Sequence, residues 1–354
     1  MASFLTRWKN SFAKRKFKIK QHLEESHLDT SKNSNHILQA HGEELPQGKR
    51  FCIYCIWQNA EIPWYVRNAL EALAAQQVNV IVVTNARLSQ AALDILRPYC
   101  WRIIERANVG RDMGAYKDAT LYLRSHSTAI ESILYLNDSI YLFSRTTSDL
   151  FQKIYTSTSD ICAPFESWDK TYHIQSYCLR LNQRIIDTPL FWEFWEDYRP
   201  VNTREWSILN GEIGLSNCIK KCSPSIEIIY STHRLHQQLS ALSPSCIQSA
   251  MSLIPRRQRT PIQDKHHTEL INHYLQVMTG VSEVHYGALL HIEYNQCPIL
   301  KRDIIFTGVF LPFEVASVLY QKFDSHEVDQ ALDEIRCKGM LTHLPQIERY
   351  KLRR

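Results

Sequence analysis

Long apolar stretches are missing from this chain: its hydrophobic runs, such as Val80-Ile81-Val82-Val83, stop after a few residues. A helix crossing a bilayer needs about 20, so no membrane span is expected. The cationic N-terminus also lacks the apolar stretch of about 7–15 residues that an export signal carries. An intracellular chain is therefore expected. A clustered disulfide framework is missing too, because the ten cysteines are scattered through strand-like and helix-like segments and read as buried thiols. Cys52 and Cys55 are spaced like a metal pair, but in the strand-like run FCIYCIW positions three apart face opposite ways. Cys218 and Cys222 share one side of a probable helix without a second pair nearby, so they read as packing residues.

Basic charge is missing from the body. The net charge is +5, yet +7 of it lies in residues 1–23, which contain no acid, leaving −2 for the rest. A nucleic-acid binder spreads cations over its folded surface to meet phosphates, so that class loses most of its support and no nucleic-acid partner is expected. No GxxxxGK[ST] loop is present, which argues against phosphoryl transfer on a P-loop. No internal repeat is found.

In residues 1–28, Phe4, Leu5, Trp8 and Phe12 recur at helical spacing among Lys and Arg. This pattern describes a basic amphipathic helix, suited either to an anionic lipid surface or to packing on the protein as a solvated leader. The lipid alternative gives a cytoplasmic chain attached peripherally to the inner face of the cell membrane. Residues 29–49 are polar and mixed, and read as a linker.

From Phe51 the pattern becomes regular. Strand-like runs at 51–57, 78–84, 101–105 and 133–136 alternate with helical stretches at 63–75, 89–96 and 113–123. Such alternation predicts an α/β fold, a mostly parallel sheet with helices on its faces. Ligands of such sheets sit beyond the carboxyl ends of the strands, where this chain carries Gln58 and Asn59, Asn85, Asn108 to Asp112, and Asn137 to Ser139. After Asp160 the pattern shifts to a hairpin or mixed-sheet extension, followed by helices at 190–198 and 213–221. The domain is expected to span 50–230, with 231–354 either completing it or forming a helical appendage.

Three clusters carry candidate chemistry. In Asn108-Val-Gly-Arg-Asp-Met-Gly-Ala-Tyr-Lys117, Asn108 and the Gly110 turn open a helix whose N-terminus offers N–H groups to an anion. Arg111 and Lys117 add positive charge for a diphosphate, and Asp112 can accept hydrogen bonds from a base or ribose. In LYLNDSIY an apolar strand ends in Asn137-Asp138-Ser139. There Asp138 could ligate Mg²⁺ or Mn²⁺ together with phosphate oxygens, or hydrogen-bond a nucleotide-sugar donor without metal. In Asn210-Gly-Glu-Ile-Gly-Leu-Ser216, Glu212 is a candidate general base for an inverting transfer; its structural alternative is a first-turn acid facing the helix dipole. His173, Gln175 and Tyr177 alternate in HIQSYCLRL, so a strand would place all three on one face to meet sugar hydroxyls. Phe191, Trp192, Phe194 and Trp195 read chiefly as core.

Taken in order, NVGRDMGAYK, LYLNDSIY, HIQSYCLRL with the later FWEFW, NGEIGLS and YNQCPILKRDII resemble the rhamnan synthesis protein F family of glycosyltransferases over about residues 51–310. The resemblance implies a GT-A-like Rossmann-type nucleotide-sugar-binding domain. It also implies transfer of L-rhamnose from a dTDP-linked donor onto a bacterial cell-surface polysaccharide or lipopolysaccharide acceptor. By that likeness Arg111 and Asp112 fall in the donor turn and Asp138 takes the place of the metal-associated carboxylate. Two departures stand out: Leu142-Phe143 replaces a common Gly-Pro pair, and Gly211 a usual aromatic. The competing reading from another class is a carbohydrate-binding or scaffold protein of the same assembly machinery that keeps the fold without turnover.

Overall fold

The structure, a computed structural model, describes residues 31–337 apart from 32, 34, 43–44, 59–60, 127–128, 259–266, 279 and 305–308. The basic N-terminal helix expected over 1–28 lies outside the described residues, as does Asn59. No helix among the described residues is long and apolar enough to cross a membrane.

An eight-stranded sheet organises the chain, in the order β1-β4-β3-β2-β5-β10-β7-β11. Its centre is the run of parallel strands β2 (Arg50–Ile56), β3 (Asn79–Thr84), β4 (Cys100–Arg106) and β5 (Ser132–Asn137). Both faces of these strands are covered, which is why they read as continuous apolar runs. Cys52, Tyr54 and Ile56 enter one core, while Phe51, Ile53 and Cys55 enter the other. The two cysteines thus face opposite ways, as the spacing predicts. The covering helices are α1 (Trp64–Ala74), α2 (Gln90–Leu96) and α3 (Arg111–His126). Ser89 caps α2 by accepting the Ala92 N–H, the side-chain satisfaction a helix start requires. The α/β fold with a mostly parallel central sheet is the one expected.

One expectation fails at the edge. Residues Ile37–Gly42, inside the segment read as a linker, form β1 and pair antiparallel with β4. Most of its side chains are exposed or half-buried, so a polar composition concealed an edge strand whose stability comes from backbone pairing.

Beyond β5 the chain runs through β6 (Ile140–Leu142) and α4 (Ser144–Thr156), then β7 (Ile161–Ala163), β8 (Glu166–Ser167), β9 (His173–Ile174) and β10 (Cys178–Asn182). β10 is antiparallel to both β5 and β7. The predicted continuous strand HIQSYCLRL is therefore two strands separated by a turn. Helix α5 (Pro189–Asp197) buries Phe191 and Trp195 fully, which makes that aromatic block core. Each such side chain contributes about 1.5–3 kcal/mol. Next come α6 (Ile213–Lys220) and β11 (Ile226–Ile228), which closes the sheet beside β7.

The later region holds α7 (Thr232–Ser240), α8 (Pro244–Met251), α9 (His267–Met278), α10 (Ala288–Asn295), β12 (Ile299–Lys301), α11 (Pro312–Lys322) and α12 (Ser325–Cys337). It is more than a helical appendage, because β12 pairs antiparallel with β6. The Phe143 N–H donates to the Pro298 carbonyl at 3.2 Å, and the Phe143 ring stacks on Phe323 at 4.1 Å. Glu327 of α12 accepts from Asn68 and from the Ser144 N–H that opens α4. The Leu142-Phe143 departure is thus the docking strip of the C-terminal region: a proline at 143 would have no N–H to give.

Candidate active site

Strand order runs outward from β2 through β3 to β4, then crosses back to β5 on the other side of β2. Open α/β sheets bind ligands at such a reversal. A cavity of about 570 Å³ lies there. Trp57 and Gln58 line it after β2, Asn85 after β3, Asn108, Arg111 and Asp112 after β4, and Asn137, Asp138 and Ser139 after β5. Arg111, Asp112 and Asp138, remote in sequence, share this one space.

The turn after β4 is built around a fully buried guanidinium. Arg106 donates to Asp118 at 2.7 Å, to the Val109 carbonyl at 2.7 Å and to Asn85. Gly110 has φ +78°, and a Cβ there would stand 2.4 Å from Pro200, so only glycine fits. Arg111 is also left-handed at φ +57°, a costly conformation for a residue with a side chain and one that clusters at functional sites. Two sequence expectations change here. The Gly110 N–H is taken by the Asn202 side chain at 2.6 Å, so it is not open to an anion. Lys117 is buried, with Nζ donating to the carbonyls of Glu196 and Tyr198. Six residues beyond Arg111, it lies on the far side of α3 and pins α5 instead of facing a donor.

Past β5 the polar triplet is tightly held. Asn137 donates to Asp112 at 3.0 Å and accepts from the Ser139 N–H and hydroxyl. Asp138 Oδ2 accepts from the Trp57 N–H at 2.9 Å and from Gln58 at 3.0 Å. Burial lifts the Asp112 carboxyl above its ordinary range; Glu212 adds to this, while Arg111 and Lys301 oppose it.

A second cavity of about 390 Å³ shares Arg111, Asp112, Asn137 and Ser139 with the first. Glu212 and all of His173, Gln175 and Tyr177 line it, although a turn, not a strand face, brings the last three together. Glu212 ends a π-helical segment, Ser207–Glu212, a form frequent at functional sites. Its Oε2 accepts from the Ser176 N–H at 2.8 Å and hydroxyl at 2.7 Å, and its Oε1 lies 3.3 Å from His173 Nε2. Burial would raise the Glu212 carboxyl, but the His173 bond and charge and the Ser176 donors bring it below its ordinary value. Burial would lower His173, and the same partner raises it instead. The two are partners facing the cavity, an ion pair whenever His173 is protonated. A Cβ at Gly211 would stand 2.6 Å from Met113 Cγ, so the glycine lets this segment pack closely against α3. The Tyr177 hydroxyl is buried and has no hydrogen-bond partner among the described residues.

Sequence reading assigned no role to the opposite wall. Lys301 and Asp303 line both cavities, Arg302 the larger, and Arg204 and His285 the smaller. Lys301 Nζ donates to Ser139 Oγ at 2.8 Å and sits 3.9 Å from the Tyr177 ring centre. Arg302 donates to the Asp138 carbonyl at 2.7 Å and stands 3.6 Å from its carboxylate. Burial would raise Asp303, but His285 at 2.8 Å, with Lys301 and Arg204, brings it down to about 2. The signals for Lys301 to Asp303 were the YNQCPILKRDII segment and, within it, the charged triplet Lys-Arg-Asp after a strand-like run.

Magnesium usually takes one or two carboxylates together with substrate phosphates. Asp138 Oδ2 already accepts two N–H groups beside a guanidinium, and both Asp112 oxygens accept hydrogen bonds. Among the described residues no group of three His, Cys, Asp or Glu side chains is arranged to hold a metal ion. Those bonds engage Asp138 Oδ2 and both Asp112 oxygens, which leaves Asp138 Oδ1 as the carboxylate oxygen of this pair for an ion. The cavity lining sets Arg111, Lys301 and Arg302 beside Asp112, Asp138 and Asp303, so cations already stand where a divalent ion would sit.

A model of the family described as "Rhamnan synthesis protein F" matches residues 80–283, more than half of the chain. "Uncharacterized protein y4gN" of Sinorhizobium fredii is 30% identical over 166 residues, 46% of this chain and 43% of that protein. The chain therefore spans under half the length of this curated relative. Among solved structures, the apo-form glycosyltransferase GlyE of Streptococcus pneumoniae superposes with a TM-score of 0.31 at 13% identity, over 67% of this chain and 66% of that one. S. aureus TarS 1-349 gives 0.27 at 10% identity, over 82% and 92%. At scores this low the likeness carries no argument about this chain.

Proposed function

The chain belongs to the rhamnan synthesis protein F family, and from that membership we propose that it is a glycosyltransferase of polysaccharide synthesis. The donor is a nucleotide-sugar, with dTDP-L-rhamnose favoured, and the acceptor is a cell-surface polysaccharide or lipopolysaccharide. One observation carries the reading: Arg111, Asp112 and Asp138 line one cavity at the strand reversal, which shares Arg111, Asp112 and Lys301 with a second that holds Glu212. The first accommodates the nucleotide, with Trp57 offering an exposed ring to the base and Arg111 meeting the diphosphate. Asn108, Asn137 and Ser139 border the same space. The second accommodates the acceptor against His173, Gln175 and Tyr177.

Transfer is inverting in this proposal. Glu212, kept ionised by His173 and Ser176, takes the proton of an acceptor hydroxyl. The hydroxyl oxygen bonds to the anomeric carbon as the bond from that carbon to the diphosphate breaks, and the electron pair leaves with the nucleoside diphosphate. Charge growing on the leaving group meets fixed cations, the kind of stabilisation that usually dominates catalysis. A thermal-shift panel of dTDP-, UDP- and GDP-sugars, followed by assay of nucleoside diphosphate release, tests the reading. A shift with release supports it; no shift with any donor overturns it. The scaffold alternative draws on the engagement of both Glu212 oxygens, and would show a shift without release.

A further inference from the structure

We infer that Lys301 and Arg302 neutralise the leaving diphosphate in the position a divalent ion would otherwise occupy, so that this transferase works without metal. The inference rests on the donor assignment proposed above and deepens it.

Position is the first support. The main-chain N–H of Arg302 donates to the Ser139 carbonyl at 3.0 Å, Lys301 Nζ to the Ser139 hydroxyl, and the Arg302 guanidinium to the Asp138 carbonyl. These three bonds clamp both cations onto the triplet where a metal-binding carboxylate was expected. Lys301 also lies on the boundary of both cavities, together with Arg111. A diphosphate placed there would have cations on two sides.

Preorganisation is the second. Lys301 closes β12, which is locked to β6 with Lys301 opposite Ile140. Glu334 of α12 holds Arg302 through Nε at 3.1 Å and through Nη2, and the Tyr65 and Tyr141 rings lie 4.8 and 5.9 Å from its Cζ. Cations fixed in this way need no reorganisation as charge develops.

Charge balance is the third. A divalent ion seated on Asp138 would stand beside the Arg302 guanidinium, which lies 3.6 Å from that carboxylate and is also paired with Glu334. Like charges at such range repel strongly away from bulk water. Burial also depresses the Lys301 ammonium against the pull of Asp303, Glu212 and Asp112. An arriving diphosphate would stabilise it.

The test uses the full chain with the nucleotide-sugar panel, in EDTA and in added Mn²⁺. Expected is undiminished turnover in EDTA, a fall of about 100-fold in kcat for Lys301→Met, and substantial recovery in Lys301→Arg. Calorimetry in EDTA supplies a readout apart from activity: Lys301→Met should weaken the nucleoside diphosphate at least tenfold and leave the parent nucleoside unchanged. A melting temperature near wild type shows that the variants fold; were Lys301→Met to unfold, Lys301→Gln takes its place. Turnover lost in EDTA and restored by Mn²⁺ overturns the metal-free inference while leaving the transferase reading intact. Wild-type kcat and affinity in Lys301→Met overturn it likewise. No binding of any nucleotide-sugar sinks both.

Discussion

The two walls of the cleft are made in different ways. One is assembled from residues that follow β2, β3, β4 and β5, so each polar group sits directly after an apolar run. The other, Lys301 to Asp303 with His285, comes from beyond residue 280 and reaches the cleft because a three-residue strand, β12, pairs with an equally short β6. The first wall is fixed by local order along the chain. The second depends on a long-range contact that only the folded chain creates.

Breaking the chemistry at the junction of the walls should have the largest effect. Glu212→Gln is expected to cost about 10²–10⁴ in turnover, the range for a lost general base, with donor affinity within about twofold by calorimetry. Full activity would move the base elsewhere. The next largest effect is on the strand-end wall. Arg106→Met leaves Asp118 buried without its guanidinium and should cost about 3–5 kcal/mol in urea unfolding. A loss under 1 kcal/mol would mean that the turn after β4 is held otherwise.

The far wall should yield to a comparable blow. Phe143→Pro removes the N–H bond to Pro298, the stack on Phe323 and a fully buried ring, a loss of about 3–5 kcal/mol. Nucleotide affinity should fall with it, because β6 carries the strand that presents Lys301. Unchanged affinity would show that β12 stays docked without this contact.

The smallest effect is on pH. Because Glu212 is depressed, its contribution is complete above its ordinary value of 4.5 and fades as pH falls through the folded value. Because His173 is raised, its contribution is complete below 6.5 and fades as pH rises through the folded value. The melting-temperature gap between wild type and His173→Gln should therefore be widest between pH 4.5 and 6.5. A gap that is flat from pH 4 to 9 would contradict the ion pair.

The same contrast explains what the sequence could disclose. Strands β2 to β5 were legible because both their faces are buried, which writes them as apolar runs, and their polar ends mark the cleft. β1 was hidden because its side chains stay wet. Lys117 was misplaced by counting proximity along the chain: six residues on a 3.6-residue helix point away. His173, Gln175 and Tyr177 do reach one cavity, but through a turn that strand periodicity does not describe, and Ser176, off their row, is the residue that grips Glu212. Lys301 and Arg302 were invisible in role because nothing in their own neighbourhood tells which strand β12 will join.

The most direct measurement is a calorimetric titration of the preferred nucleoside diphosphate into wild type, Arg111→Gln and Lys301→Met, one substitution for each wall. If both walls grip the same diphosphate, each variant should bind it at least tenfold more weakly, the loss of about one charge-assisted contact. Wild-type affinity in either variant would leave that wall without the ligand assigned to it and separate the two halves of the site.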